Sequence, residues 1–489
     1  MMLADMMQRA GLPGQSLPAV PITGITADSR HVSKGYLFAA LPGAVSDGRH
    51  FIAAAVASGA AAVLAPLGTE WPPGVPPRPL ILNPEPRRAL ALLAAAQEGA
   101  QPDHIVAVTG TNGKTSSVDF LRQFWQLAGL HAGSLGTLGL IAPGHEGGSG
   151  LTTPDPVALA GMLAELAREG VGHLAMEASS HGLDQFRLDG VRLSAAGFSN
   201  LTRDHMDYHG TLDAYRAAKM RLFADLLPAG APMAANADMD PGTLDCLRAI
   251  AARRRLDMHT VGVNGNDIRL LGTKALPHGQ ILHVMEGGAT RDVEVGLPGR
   301  FQADNVLLAA ALAMVSGVDD PWALAAGLRG VRGRMELVAR LENGAAAYVD
   351  YAHTPDALER LLQALRPHTE NRLLCVFGAG GDRDAGKRPL MGAAVARFAD
   401  IAIVTDDNPR GERPGAIRAA ILAGCPGARE IGDRAEAIAA GLAELREGDL
   451  LVVAGKGHEQ GQIVGRDVLP FDDADTIRRI LGTPILRLL

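Results

Sequence analysis

Cysteine is scarce in this 489-residue chain: the three present, Cys246, Cys375 and Cys425, are far apart, odd in number and form no Cys-x-x-Cys pair. Neither a disulfide framework nor a thiolate metal centre is indicated, and reduced, buried thiols are expected. Aromatic residues make up only 4% of the chain and are nowhere interleaved with a Lys/Arg block, so no nucleic-acid surface is expected. A basic excess is missing too, because 46 Lys and Arg face 53 Asp and Glu, a formal charge of -7. That balance leaves small molecules as the expected partners. The longest apolar run, "VLLAAALAMV" at 306 to 315, is too short to span a bilayer. The N-terminal "MMLADMMQRAGLPG" also lacks a basic start followed by an apolar core. A cytoplasmic protein without membrane insertion is therefore expected, and a monomer is the expected state.

What is abundant is Ala, Val, Leu and Gly, within a 47% hydrophobic composition that suits helix-covered parallel sheets. The length predicts about three α/β domains. The first, 1–86, closes on the proline-rich "EWPPGVPPRPLILNPEP", whose prolines suit a linker and a short strand. In the second, 87–331, "HIVAVTGTNGKTSSVDFLRQFWQLAG" reads as strand, Gly-rich turn and helix, and "HLAMEAS" and "LSAAGFSN" alternate with helical patterns such as "VALAGMLAELAREG". This predicts a doubly wound, P-loop ATPase-like sheet. The third, 332–489, holds four strand candidates, "AAAYVDYA", "RLLCVFGAG", "ADIAIVTDD" and "GDLLVVAGKG", each ending in a polar or glycine loop. A Rossmann-like sheet whose strand ends line one crevice is expected there.

In "TGTNGKTSS", Gly110 and Gly113 let backbone N–H groups turn toward an anion, Lys114 supplies charge for β/γ-phosphates, and Thr115 can offer a hydroxyl to Mg²⁺. The first glycine of the general phosphate-loop pattern would fall at Val108, so that pattern is incomplete, and a Gly-rich turn without ligand is the plain alternative. Three later segments can complete a site: "MEASSH" with Glu177, Ser179 and His181, "NLTRDHMDYHGT" with His205 and His209, and "YRAAKMRLF" with Tyr215 and Lys219 on one helix face. His205 and His209 have a spacing also found in zinc sites, Glu177 could be a capping carboxylate, and Lys219 a surface lysine. After the strand pattern "ADIAIVT", "DDNPRGE" puts acids, an amide and an arginine at a turn that Pro409 stiffens. Its plain alternative is a solvated Asp-Arg turn.

"AVTGTNGKTS", "TTPDP", "EASSHGLDQFR", "FSNLTRDHMDYHGT", "AYRAAK", "GRME", "VDYAHTPDAL", "VFGAGGDRDAGKRPLMG", "DDNPR" and "AGKGHE" follow one another in this order. Together with "ITADSRHVSKGYLFAALPG" and "SDGRHFIAAAVASGA" they resemble the Mur ligases of peptidoglycan synthesis over essentially the whole chain. The resemblance implies a uridine-nucleotide-binding first domain and an ATP- and Mg²⁺-dependent amide ligation. ATP would phosphorylate the D-glutamate γ-carboxylate of UDP-N-acetylmuramoyl-L-alanyl-D-glutamate, and an amino group of meso-2,6-diaminopimelate would attack the acyl phosphate.

Carried over by position, the resemblance implies ATP contacts along Gly110, Thr111, Asn112, Gly113, Lys114, Thr115 and Ser116, and at Asn305, Arg334 and Asp350. Catalytic roles fall on Lys114, Glu177, His205 and Lys219. Thr115, Glu177, His205 and Lys219 would lie near the metal, with Lys219 as its N6-carboxylated (carbamate) form. Ser29, Ser46 and Asp47 would hold the uridine end, and Thr152, Thr153, Ser179, Gln185 and Arg187 the muramoyl dipeptide. Arg383, Asp407, Asn408, Pro409, Arg410, Gly455 and Glu459 match the amino-acid pocket, where Arg410 offers a planar fork to a carboxylate and Asp407 and Asn408 face the adjacent ammonium. This chain departs from the usual pattern at Gln302, where an asparagine is common, at Ala178, and at Leu151. An L-lysine-adding relative, a folylpolyglutamate-synthetase-like ligase and a non-catalytic nucleotide-binding protein are the competing readings.

Overall fold

The computed structural model describes residues 1–12, 18–43, 46–148, 151–276 and 278–482. These fall into two compact units, one made of residues 1–260 and 308–319, the other of 261–307 and 320–489.

The first unit contains two sheets. The N-terminal one is all parallel, with Gly24–Thr26, Tyr36–Ala39, Ala62–Pro66 and Leu80–Asn83 in sequential order. Alternate residues face opposite ways along these strands. Leu37, Leu64 and Ile81 join the helices Leu3–Arg9 and Pro86–Glu98, while Phe38 and Val63 pack on the helix Ile52–Ala57. Both faces are thus buried, as an all-parallel sheet requires. The helix Pro86–Glu98, which the sequence sets at the start of the second domain, buries Ala89, Leu90 and Leu93 in the core of this first sheet. It also packs on Pro156–Arg168.

The second sheet of this unit runs Pro232–Asn236, Ala195–Phe198, His104–Thr109, His173–Glu177, Ala132–Gly136, all parallel, and ends in an antiparallel edge of Gly139–Ala142 and His145–Glu146. Its central strand, His104–Thr109, feeds directly into the Gly-rich turn and the helix Lys114–Leu127. Order reverses there, the position at which open α/β sheets bind ligands.

The second unit has a six-stranded sheet ordered Glu336–Arg340, Ala346–Asp350, Leu450–Ala454, Leu373–Phe377, Ile401–Val404, Arg429–Glu430, antiparallel only at the first pair. Tyr348, Cys375, Phe377 and Val452 face the helices Pro355–Leu365, Lys387–Phe398 and Pro414–Leu422. Val349, Leu374, Val376 and Val453 face Arg434–Ala443 and Asp473–Leu481. The same unit holds an antiparallel meander, Ile268–Leu276, Gly279–Glu286 and Ala289–Val295, where the sequence suggested only continued helix and strand alternation. Among the described residues no helix is long and apolar enough to cross a membrane.

Candidate active site

In the first unit the Gly-rich turn is shaped by backbone that only glycine adopts readily. Gly110 has φ 145°, and a Cβ there would lie 2.0 Å from the Ser199 hydroxyl. The turn is braced from two sides. Asn112 N–H donates to Asn200 Oδ1 at 3.0 Å, Ser199 Oγ donates to Asn112 O at 2.6 Å, and Thr111 Oγ1 exchanges bonds with the Thr202 backbone. From the other side, Thr211 caps the helix Leu212–Arg221. That helix sends Tyr215 Oη to Thr111 Oγ1 at 3.3 Å and Lys219 Nζ to Gly110 O at 2.6 Å. Lys114 Nζ rests on the carbonyls of Gly110 and Thr111, and the Thr115 hydroxyl has no protein partner among the described residues. The helix Lys114–Leu127 aims its free N–H groups at the same point.

Lys219 is only 1% exposed, with its ammonium 4.4 Å above the Tyr215 ring. Burial, reinforced by the Lys114 charge, holds its amine well below the usual lysine range. His205, exposed and in the left-handed region at φ 52°, stands 6.1 Å from the same Tyr215 ring and 4.9 Å from His181. The rings of His181 and His209 both contact Tyr208, tilted and edge-on, and burial lowers both imidazoles.

Glu177 ends the neighbouring strand, 1% exposed, and accepts the Thr137 N–H at 2.8 Å. Among the described residues its carboxylate bonds only to Thr137, so it is not joined to His205 or Lys219. Thr137 also meets Thr152 at 3.2 Å. Thr153, Ser179, Gln185 and Arg187 form one continuous network beside it. Thr153 Oγ1 lies 3.0 Å from Ser179 Oγ, and Arg187 donates to Thr153 O and Gln185 Oε1, each at 2.7 Å. Burial pushes the Arg187 guanidinium below its ordinary range, and among the described residues no carboxylate bonds to it. An incoming anion would relieve that penalty.

The N-terminal sheet carries two matching turns, in which the sequence marks Ser29, Ser46 and Asp47 but not Asp28 or the arginines. Asp28 and Asp47 each accept the backbone N–H and the guanidinium of the arginine two residues on, Arg30 and Arg49. These bonds hold both carboxyls well below the usual carboxylate range. Ser29 opens the first turn and Ser46 precedes the second.

In the second unit the four central parallel strands deliver their carboxyl ends to one edge, the loops 351–354, 378–383, 405–410 and 455–459. Asp350 accepts N–H bonds from Met335 and Ala352, and Arg334 stacks 4.5 Å over Tyr351, whose ring lies 5.1 Å from His458. Burial and the Arg334 charge push His458 down to about 4. Asn305 donates to Gln302 Oε1 at 3.0 Å, so the departing residue Gln302 is the buried partner of the retained asparagine.

On the same edge, Arg410 takes φ 51° and sends one N–H to Gly381 O at 2.9 Å, and among the described residues the rest of its fork is open. Arg383, on the loop that contains Gly381, is exposed and makes no ion pair among the described residues. Asp407 is 7% exposed, yet its carboxylate accepts no hydrogen bond among the described residues. It lies against Gly455, where an added Cβ would come 2.6 Å from Asp407 Oδ2. Asn408 Nδ2 donates to Glu459 Oε2 at 2.9 Å. The edge thus brings together the Arg410 fork, the exposed Arg383 and the unbonded Asp407 carboxylate. Lys456, which the sequence reading did not single out, lies wholly buried beneath them.

Family profiles match three consecutive stretches: Mur ligase family, catalytic domain, over residues 21–98; Mur ligase middle domain over 108–313; and Mur ligase, glutamate ligase domain over 333–457. A UDP-N-acetylmuramoyl-L-alanyl-D-glutamate–2,6-diaminopimelate ligase of Caulobacter vibrioides is 55% identical over 470 residues, 94% of this chain and 96% of its own. One so named from Agrobacterium fabrum is 52% identical over 468 residues, 95% of this chain and 94% of its own. A solved structure of a diaminopimelate ligase of that name superposes with a TM-score of 0.75 at 33% identity, covering 99% of both chains. The chain belongs to the Mur ligase family, with that family's three-domain α/β architecture.

Proposed function

We infer that this protein is an ATP-dependent ligase that joins meso-2,6-diaminopimelate to the D-glutamate γ-carboxylate of UDP-N-acetylmuramoyl-L-alanyl-D-glutamate, in peptidoglycan precursor synthesis. The observation that carries this reading is the 55% identity, across 96% of its length, to a relative named for that reaction.

The chemistry proceeds in two balanced steps. A γ-carboxylate oxygen attacks the γ-phosphorus of ATP and ADP leaves. The amine then attacks the acyl carbon, phosphate departs with that oxygen, and the nitrogen gives up a proton. A carboxylate is a poor electrophile until this activation, and two anions must meet in the first step, so positive charge has to be supplied. We assign that charge to Lys114, the N-terminus of the helix it opens, and Mg²⁺, which supplies Lewis-acid neutralisation of the phosphates when bound. The oxygen donors available, the open Thr115 hydroxyl and the Glu177 carboxylate, suit a hard cation, with His205 beside the loop. Among the described residues no three His, Cys, Asp or Glu side chains form a cage. That arrangement fits Mg²⁺, which keeps waters and uses few carboxylates together with substrate phosphates.

The depressed amine of Lys219 supports its conversion to a carbamate, since only a neutral amine adds CO₂. Its new oxygens would then project from beside Gly110. Thr152, Thr153, Ser179, Gln185 and Arg187 are proposed to grip the muramoyl dipeptide, and the Ser29 and Ser46–Asp47 turns the uridine end. Asn305, Arg334 and Asp350 are assigned to the nucleotide. Residues 1–86, 87–331 and 332–489 would accordingly serve the UDP substrate, ATP and the amino acid.

An acyl phosphate makes one sharp demand. With ¹⁸O in the γ-carboxylate of the UDP substrate, one label must appear in the phosphate released. Unlabelled phosphate would rule the intermediate out.

A further inference from the structure

Lys456 has none of its surface in contact with solvent. A lysine so placed is rare, and its desolvation has to be offset by partners of opposite or matching polarity. Nζ donates to Asn408 Oδ1 at 3.1 Å and lies 3.2 Å from Glu459 Oε2. Both partners belong to the edge assigned above to the amino acid. If packing alone were at stake, an apolar side chain of similar volume would do as well or better than a buried ion pair.

The bonds fix two orientations at once. Asn408 Oδ1 also accepts the Ile463 N–H at 2.9 Å, so with two donors on its oxygen the amide must turn Nδ2 toward Glu459. Glu459 Oε2 then receives both Asn408 Nδ2 and Lys456 Nζ, while Oε1 has no donor among the described residues. Half of that carboxylate is clamped and half is presented. The Lys456 charge also cancels one of the two neighbouring carboxylates, Asp407 and Glu459. The edge can then hold a carboxylate and an ammonium together, where a more acidic edge would favour a bare ammonium.

We propose that Lys456 is a positioning and selectivity residue of the amino-acid pocket, acting through Asn408 and Glu459 to favour the zwitterionic end of diaminopimelate over the plain ammonium end of lysine. The inference rests on the reading under Proposed function.

The test is phosphate release by the full chain with ATP, Mg²⁺ and the UDP substrate saturating, titrated with meso-diaminopimelate or L-lysine, for the wild type, Lys456→Met, Glu459→Gln and the double variant. Lys456→Met is expected to raise the diaminopimelate KM about 30-fold, the low end of the scale for truncating one member of a hydrogen-bonded charge pair, because Glu459 is only half-buried. KM for ATP should stay within about twofold, and the preference for diaminopimelate over lysine should fall about tenfold. Because Lys456 acts through Glu459, Lys456→Met should add no more than about threefold in the Glu459→Gln background. Should Lys456→Met alone fail to fold, the charge-balanced double variant is compared with Glu459→Gln, and the same threefold limit applies. An unchanged KM and selectivity, or an additive effect in the double variant, overturns the proposal. A wild type that releases no phosphate in response to diaminopimelate overturns the functional reading, and this inference with it.

Discussion

Replacing Arg410 by alanine isolates the group best suited to the feature that distinguishes diaminopimelate from lysine, the carboxylate at its far end. The substitution leaves the backbone alone. Arg410 sits at φ 51°, its N–H bonds to Ile463 O at 3.0 Å, and alanine carries the same Cβ, so neither the left-handed cost nor the backbone bond changes. What disappears is one guanidinium bond to Gly381 O and the open part of the fork. Truncating one partner of a hydrogen-bonded charge pair costs about 2 to 5 kcal/mol, and a half-buried site lies at the low end, about 2 kcal/mol. That corresponds to a rise of about 30-fold in KM for diaminopimelate. Steady-state phosphate release is the assay, and KM for ATP and for the UDP substrate should change less than about twofold. Arg410→Lys should recover little, because an ammonium cannot satisfy Gly381 and a substrate carboxylate with one planar fork. An Arg410→Ala enzyme with unaltered preference for diaminopimelate over lysine would refute the assignment and move it to Arg383.

Lys114→Ala should lower kcat at least about 100-fold, the scale for removing one electrostatic donor to a transition state, with the thermal melt unchanged. Lys219→Ala should lose most activity, with short carboxylates restoring part of it, and full activity in the variant would remove Lys219 from the site. The lowered amine of Lys219 also sets a pH dependence: the fold binds fewer protons there than the unfolded chain, so stability without CO₂ should climb as pH rises from the depressed pKa toward 10.5. Lys219→Met should flatten that climb, as read by Tm from pH 7 to 10. Arg434 and Asp473 form a wholly buried pair, and Arg434 also donates to Ala454 O just before Gly455. Asp473→Asn should therefore cost about 3 to 5 kcal/mol in denaturant melts by stranding the guanidinium.

Parts of this architecture were legible because parallel strands covered on both faces must be apolar throughout. Leu373–Phe377 and Leu450–Ala454 are buried at every position, and their runs stand out in the sequence with the functional loops directly after them. The meander Ile268–Val295 was not legible for the opposite reason. Two of its three strands, Ile268–Leu276 and Ala289–Val295, are largely solvated and carry charges such as Arg269, Lys274 and Asp292. The helix Pro86–Glu98 reads as helix from its Ala/Leu pattern, but a stripe of small aliphatics does not say which sheet it will cover.

Within the site, residue types at motif positions were readable, and their burial was not. Lys219 and Lys456 resemble surface lysines in sequence, and only the fold shows both withdrawn from water against a carbonyl and a carboxylate. The presence of Lys456 inside "AGKGHE", flanked by glycines and followed by a pocket acid, was the signal available. The stack of Arg334, Tyr351 and His458 joins residues more than 100 positions apart, beyond what spacing can convey.

The central claim, amide ligation to diaminopimelate driven by ATP, is tested most directly by one coupled measurement. Purified protein is given ATP, Mg²⁺ and UDP-N-acetylmuramoyl-L-alanyl-D-glutamate, and phosphate and the UDP-muramoyl tripeptide are quantified with meso-diaminopimelate or L-lysine. The account predicts one phosphate per tripeptide with diaminopimelate and little of either product with lysine. Equal turnover with lysine, or phosphate release without tripeptide, would contradict it.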